Sequence, residues 1–270
     1  MSKIRYKALE QPLKMLYKVE ISEKTLEKET TSLRLFEIDI VPEKVSFWSG
    51  NQNIEIVRKP SMVSGIPDNS VDAFVQQIAV ALHQLTFKLG FNGMPVCVEK
   101  QDELWRKWLT IRSNIADSYT GDWVDKALCE IDQKMLPSDQ LTQNIMQDLF
   151  LNEYFRNVYD FAFVEDQFKR RRTVYGLCPL PLQFIETWTR QSSTEGQMIS
   201  FSGRCNESSN TSDFKNWLKT KTNDQLSQIS VNGSYQINSN TGWCNALDSS
   251  YSLVANNSYE KTIKVTLTTN

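Results

Sequence analysis

The chain has 270 residues and a single histidine, His83. A zincin HExxH site needs two histidines on one helical face, so that chemistry is excluded, and with it most acid–base constellations. Glycine is sparse, ten in all. None falls in a GxxxxGK[ST] or GxGxxG pattern, which excludes a P-loop ATPase and a Rossmann dehydrogenase. No DxDxDG calcium loop occurs either. The five cysteines, Cys97, Cys129, Cys178, Cys205 and Cys244, form no CxxC pair and lie far apart. That spacing disfavours a disulfide framework or a zinc knuckle, and the cysteines read as small buried hydrophobes in a reducing compartment. No stretch approaches the ~18 apolar residues of a membrane span. Lys3, Arg5 and Lys7 stand where a signal peptide needs an apolar core, so the expected location is cytoplasmic. The Asn-x-Ser sequons at Asn206, Asn210, Asn232 and Asn256 are then by-products of composition. A net charge of −2 supplies no broad positive field for nucleic acid.

What is present is periodicity. Leu13, Met15, Tyr17, Val19 and Ile21 alternate with polar residues, which predicts a strand with one buried face. Leu33–Ile40 is a second strand whose apolar phase changes at Leu35-Phe36, the mark of a bulge or of a strand buried on both sides. Phe47-Trp48 and Ile54-Glu-Ile56 suggest a hairpin turning at Ser49–Gln52, followed by a linker containing Pro60, Gly65 and Pro67. Asp68-Asn-Ser70 reads as a helix cap ahead of Val71, Phe74, Val75, Ile78, Ala79 and Leu82. Leu85, Phe87, Leu89 and Phe91 then alternate into an Asn92-Gly93 hairpin turn, and Pro95 implies that the return strand, Val96-Cys-Val98, lies at a sheet edge or begins irregularly.

Residues 102–160 carry helical spacing. Leu104, Trp108, Ile111, Ile115 and Tyr119 share a face that Val124, Leu128, Ile131 and Met135 continue, with Gly121 between the two runs as the candidate break. Pro137-Ser138-Asp139 starts a second helix, and two long helices so joined pack as an antiparallel pair. Strands return at Leu182–Trp188 and Ile199–Gly203, a short helix at Ser212–Lys221, and strands again to Leu267, with turns assigned to Asn232-Gly233 and Asn238–Gly242. The predicted class is α+β: antiparallel meanders at both ends, joined as one curved sheet, packed on a central pair of long helices. Composition shifts near residue 205. From Asn206 onward Ser, Thr and Asn make up 30 of 65 residues, and only 10 are charged. The division is therefore residues 1–205 as a strand–helix–strand body and 206–270 as a meander completing the same domain.

Candidate chemistry is thin. His83 ends the first helix, where a cation relieves the helix dipole; pairing with a cysteine nucleophile is the sharper alternative, without local signature. Carboxylate pairs occur at Glu130/Asp132, Asp122/Asp125 and Glu165-Asp166, the last among Phe161, Phe163 and Phe168, and the ordinary reading of all three is exposed surface charge. Lys169-Arg170-Arg171-Arg172 is the one strong charge run, read as a solvated loop patch, or as a dock for an acidic protein surface, rather than as a nucleic-acid contact. Seven tryptophans exceed what this length requires. Trp48, Trp105, Trp108 and Trp243 are the binding candidates with Arg170, Arg171 and Arg172, and Trp48 and Trp243 are expected to be the exposed ones.

The order of strands, helices and a Ser/Thr/Asn-rich meander, with its Gly233–Asn238 and Thr241-Gly-Trp243 segments, resembles lipoprotein-carrier half-barrels in layout. The resemblance implies a curved sheet enclosing an apolar cavity and transfers no functional residue. The leading expectation is a non-enzymatic cytosolic protein that binds a protein partner through a surface, as immunity or adaptor proteins do. The alternatives are a carrier of an apolar small ligand, with a cavity lined by Phe87, Phe91, Trp105 and Trp108, and a hydrolase using carboxylates alone. No cofactor, metal, nucleic acid or membrane span is implied.

Overall fold

The structure, a computed structural model, describes residues 6–43, 51–65, 71–156, 158–159, 167–192, 196–206, 211–223, 226, 228–256 and 258–269. Three strands open the chain: β1 (Leu13–Thr25), β2 (Glu29–Pro42) and β3 (Gln52–Ser64). Helix α1 (Val71–Ala79) runs through a 3-10 turn (Val80–His83) into β4 (Gln84–Leu89) and β5 (Pro95–Glu99). The helical stretch comprises α2 (Gln101–Ser118), α3 (Asp122–Met135), α4 (Leu141–Ile145) and α5 (Leu149–Tyr154). Strands β6 (Gln167–Val174), β7 (Leu182–Ser192) and β8 (Gly196–Cys205) lead to α6 (Ser212–Lys219). The chain closes with β9 (Gln228–Asn238), β10 (Cys244–Ala255) and β11 (Tyr259–Thr269).

All eleven strands form one antiparallel sheet in the order β5-β4-β3-β2-β1-β11-β10-β9-β8-β7-β6. The two ends of the chain meet in its middle, where β1 pairs with β11 from Met15↔Thr269 to Thr25↔Tyr259. The Ser/Thr/Asn-rich strands are thus continuous with the first three. Cross-strand register keeps one apolar face throughout, as in Met15, Ile38, Ile56, Phe87, Leu247 and Val265, and this face carries the helices. Hydroxyls and amides such as Ser202, Asn232 and Ser250 occupy the other face, one strand after another.

The sheet is curled. β6 and β10 are four strands apart, ~19 Å in a flat sheet at ~4.8 Å per strand. Yet Arg172 on β6 donates to the Tyr251 hydroxyl on β10, and both residues contact Glu153 on α5. An arginine and a tyrosine meet over that separation only if the strands between them bend round the helix.

Several local expectations are met or altered for identifiable reasons. The phase change at Leu35-Phe36 is a register shift opposite β3, and Pro60 pairs with Phe36 there. Pro60 therefore lies inside a strand rather than a linker, at an irregularity that tolerates its missing N–H. Pro95 begins the edge strand β5, whose Val98 N–H is taken by Thr142 Oγ1 at 2.9 Å. Asn232-Gly233 is not a turn but the middle of β9. A Cβ on Gly233 would stand 2.1 Å from the Asp248 carbonyl and 2.4 Å from the Phe201 ring, so glycine serves close packing here. The expected pair of long helices is not formed. Gly121 (φ +121) separates α2 from α3, and the stretch after Pro137 gives two short helices instead of one. The hairpin at Ser49, the cap at Asp68–Ser70 and the carboxylates at Glu165-Asp166 lie outside the described residues.

Candidate functional site

Two features stand out on the helix-bearing face: a buried ionic cluster and an apolar groove. The cluster is built on α5. Glu153 and Arg156, one turn apart, point into the curl, and Arg156 Nη2 meets Glu153 Oε2 at 2.5 Å. Arg172 bridges the two carboxylates, with Nη1 2.8 Å from Glu153 Oε1 and Nε 2.8 Å from Glu186 Oε1. Trp188 Nε1 donates to the other Glu186 oxygen at 2.9 Å, Ser249 Oγ donates to Glu153 Oε2 at 2.5 Å, and Tyr235 Oη donates to the Glu153 carbonyl at 2.7 Å. The Arg156 guanidinium lies 4.0 Å over the Phe201 ring, which Gly233 leaves room for.

Burial would raise the Glu153 carboxyl, but the charges of Arg156 and Arg172 and the hydroxyls of Ser249 and Tyr251 outweigh it and hold it at about 2. Burial pushes the Tyr251 phenol upward. Burial disfavours the charge on Arg172, but Tyr251, Glu153 and Glu186 raise it well above its ordinary value. These shifts favour a charged Glu153 facing charged arginines, with Tyr251 keeping its proton. It fastens α5 to β6, β7, β9 and β10 and fixes the curl. Buried ion pairs of this kind set geometry more than they add net stability, since desolvation offsets much of their attraction.

The groove lies between α1 with its 3-10 turn on one side and α3 and α4 on the other, with a volume of about 370 Å³. Ile78, Leu82, Ile131, Met135 and Ile145 line it, Trp108 forms its floor, and Lys134, Asn144 and Gln147 stand at its polar end. Trp108 is fixed in place: its Nε1 donates to Asp132 Oδ1 at 2.8 Å, and Arg112 Nε holds the same carboxylate at 2.9–3.0 Å. The groove runs onto a surface stripe of α1, where Val71 is 64% and Val75 44% exposed. Nearby, Trp123 is 47% exposed and packs edge-on against Phe74 at 5.0 Å. The stripe exists because α1 and its 3-10 turn carry apolar residues at 71, 75, 78, 79 and 82, more than their contact with the core uses.

The sequence-derived candidates scatter. Trp108 lies in the groove floor, and Trp105 packs half-buried against the core. Trp243 is buried rather than exposed, its Nε1 donating to the Lys7 carbonyl at 2.8 Å, because the segment at residues 6–12 covers it. Trp48 lies outside the described residues. The basic run is a strand, not a solvated loop: alternation exposes Lys169 and Arg171 and turns Arg170 and Arg172 inward. Arg170 lies 5.4 Å over Trp188, and Arg172 belongs to the cluster. Phe87 is fully buried and Phe91 is 77% exposed, so the four aromatics expected to line one cavity do not meet.

His83 stacks edge-on to Phe36 at 6.1 Å. Burial, then the charges of Arg58 and Lys107, lower its pKa, so it is a neutral ring rather than a cation at a helix end. Asp132 is engaged by Trp108 and Arg112, while Glu130, Asp122 and Asp125 are exposed. Cys178 and Cys244 are buried, whereas Cys129 is exposed, and none of the five cysteines is joined in a disulfide. A second cavity of about 210 Å³ is polar, with Glu55, Glu99, Glu103, Lys100 and Lys107 around it. Among the described residues no three His, Cys, Asp or Glu side chains are placed to hold a metal ion, and no helix is long and apolar enough to cross a membrane.

Sequence periodicity missed the cluster although a signal was there. Leu182, Phe184 and Trp188 set the inward phase of β7, and Glu186 and Arg190 occupy that same phase. Charged residues in the buried phase of a strand demand partners. Compared with known families and with curated proteins, the chain matches no family and no protein.

Proposed function

We propose that the chain is a non-enzymatic binding protein that receives an apolar segment of a protein partner in the groove between α1 and α3–α4. The observation that carries this reading is the continuity of the groove with the exposed Val71–Val75 stripe. Together they make an open apolar track along a helix, and such a track suits an amphipathic helix presenting residues at i, i+3 or i+4, and i+7. The polar end at Lys134, Asn144 and Gln147 gives the partner's flank hydrogen-bonding groups. A small apolar ligand is the second reading, favoured by a volume within the ~300–1,000 Å³ range of ligand pockets.

Paired pull-downs from the source cells with the wild-type chain and Ile78→Glu test the proposal. Ile78 is half-buried at the groove wall, so a glutamate there leaves the fold intact while placing charge in the track. The expected result is a stoichiometric protein retained by the wild type and lost from Ile78→Glu. A partner held equally by both removes the groove from the reading. An adduct of a few hundred daltons in native mass spectrometry, without any protein, favours the second reading.

A further inference from the structure

Residues 6–12 form neither helix nor strand, yet they are held at one end of the curl by an unusual set of contacts. Their main chain is read by side chains from distant elements. The buried Gln52 amide accepts from Leu9 N–H at 2.8 Å and donates to the Leu9 carbonyl at 2.6 Å, and the Trp243 indole donates to the Lys7 carbonyl at 2.8 Å. Two arm side chains enter the body. The Tyr6 ring sits 5.7 Å from both Tyr159 and Trp243, with its hydroxyl 3.2 Å from Gln52 Oε1, and Leu9 joins the core. Gly93 (φ +68) makes the space: a Cβ there would lie 2.4 Å from the Tyr6 ring. Along the arm a pocket of about 320 Å³ lies between residues 7–13 and Asn240–Thr241, spanned at one point by the Lys7 ammonium, which donates to the Asn240 carbonyl at 2.7 Å.

We propose that this socket is a second interaction site, independent of the groove, which reads an extended protein segment bearing an aromatic residue and, three positions on, an apolar one. Residues 6–9 are its resident occupant, displaced when such a segment binds in trans. Three features support exchange. Gln52 and Trp243 read the backbone, which any extended segment presents, as in strand-addition complexes. Specificity rests on the Tyr6 and Leu9 side chains that enter the body, with the exposed Lys7 ammonium adding one hydrogen bond to the Asn240 carbonyl. The arm joins β1 through Pro12, which has no N–H to tie it to a neighbouring strand.

The test uses the full chain carrying Tyr6→Ser and Leu9→Ser, which weakens the resident arm. The probe is an acetylated, amidated hexapeptide of residues 6–11, Tyr-Lys-Ala-Leu-Glu-Gln, fluorescently labelled. The substituted chain binds it at least about tenfold more tightly than the wild type, whose tethered arm competes at high effective concentration. A peptide with serine at its first and fourth positions does not bind. A folded double variant that ignores the peptide, or equal binding by the wild type, overturns the proposal. Should the double variant fail to fold, hydrogen exchange in the wild type decides. Leu9 N–H exchanging faster than the β1 amides of Tyr17 and Val19 supports a displaceable arm, and exchange at their rate overturns it.

Discussion

Replacing Glu153 with glutamine is the sharpest perturbation of the curl. The side chain keeps its shape but loses the charge that Arg156 and Arg172 face at 2.5 and 2.8 Å. Removing one member of a buried pair costs about 3–5 kcal/mol, because the remaining charges stay buried without compensation. An independent route gives a similar figure. The Glu153 carboxyl is held at about 2 against about 4.3 in an unfolded chain, which corresponds to roughly 3 kcal/mol of stabilisation at neutral pH. At this chain length each kcal/mol moves Tm by about 2–4 °C, so Glu153→Gln lowers Tm by about 6–12 °C at pH 7. The sign with pH follows from the depressed value. The stabilisation is complete above the unfolded carboxyl range and is lost as pH falls from about 4.3 through about 2. Thermal melts of wild type and variant, compared from pH 7 to pH 3, are the assay. The gap in Tm narrows by more than half over that range. A variant within 2 °C of the wild type at pH 7, or a gap that does not change with pH, refutes the reasoning.

Gly233→Ala places a methyl against the Asp248 carbonyl, which cannot yield, and the Phe201 ring, which supports Arg156; a loss of about 1–3 kcal/mol is expected in denaturant unfolding, together with a changed near-ultraviolet circular dichroism spectrum. With one histidine in the chain, the imidazole resonance of His83 is unambiguous by NMR, and its titration midpoint falls below the ordinary 6.5. The same depression means that stability attributable to His83 is complete above pH 6.5 and declines as pH falls below it, because the unfolded chain then takes up a proton that the folded one resists; a midpoint at or above 6.5 contradicts the burial described. Ile78→Glu, at a half-buried groove position, shifts Tm by no more than a few degrees while removing partner retention, so a collapse of the fold places Ile78 in the core instead of a binding surface.

Strands were the most legible part of the molecule, because one-faced burial writes itself as alternation. β1 was readable from Leu13 to Ile21, and even the bulge at Leu35-Phe36 showed as a phase error. Turn chemistry was less faithful. Asn232-Gly233 carries a hairpin signature, but in β9 the glycine answers a tertiary demand, the approach of Phe201 and Asp248, which local sequence does not contain. In the helical stretch the break at Gly121 was legible, but the apolar spacing after Pro137 continues across the gap between α4 and α5 and so read as one helix. In the groove, Trp108 was legible as a residue of an apolar helix face, but its neighbours Ile78, Leu82 and Met135 come from elements whose mutual packing is set by the fold as a whole. Arg170 and Arg172 were noticed as charge and misplaced as surface, because a run of four basic residues hides the alternation that sends every second one inward. Glu153 and Arg156 meet Glu186 only through the curl, which no spacing along the chain expresses.

The central claim, that the groove beside α1 holds a protein partner, is tested most directly by a photo-crosslinking residue placed at Ile78 in the chain expressed in its source cells, with the same residue at Asn232 on the opposite face of the sheet as the control. The account predicts one discrete protein adduct from position 78, absent from position 232 and lost when Val75→Glu is added. Adducts that are equal from both positions, or none from position 78, contradict it.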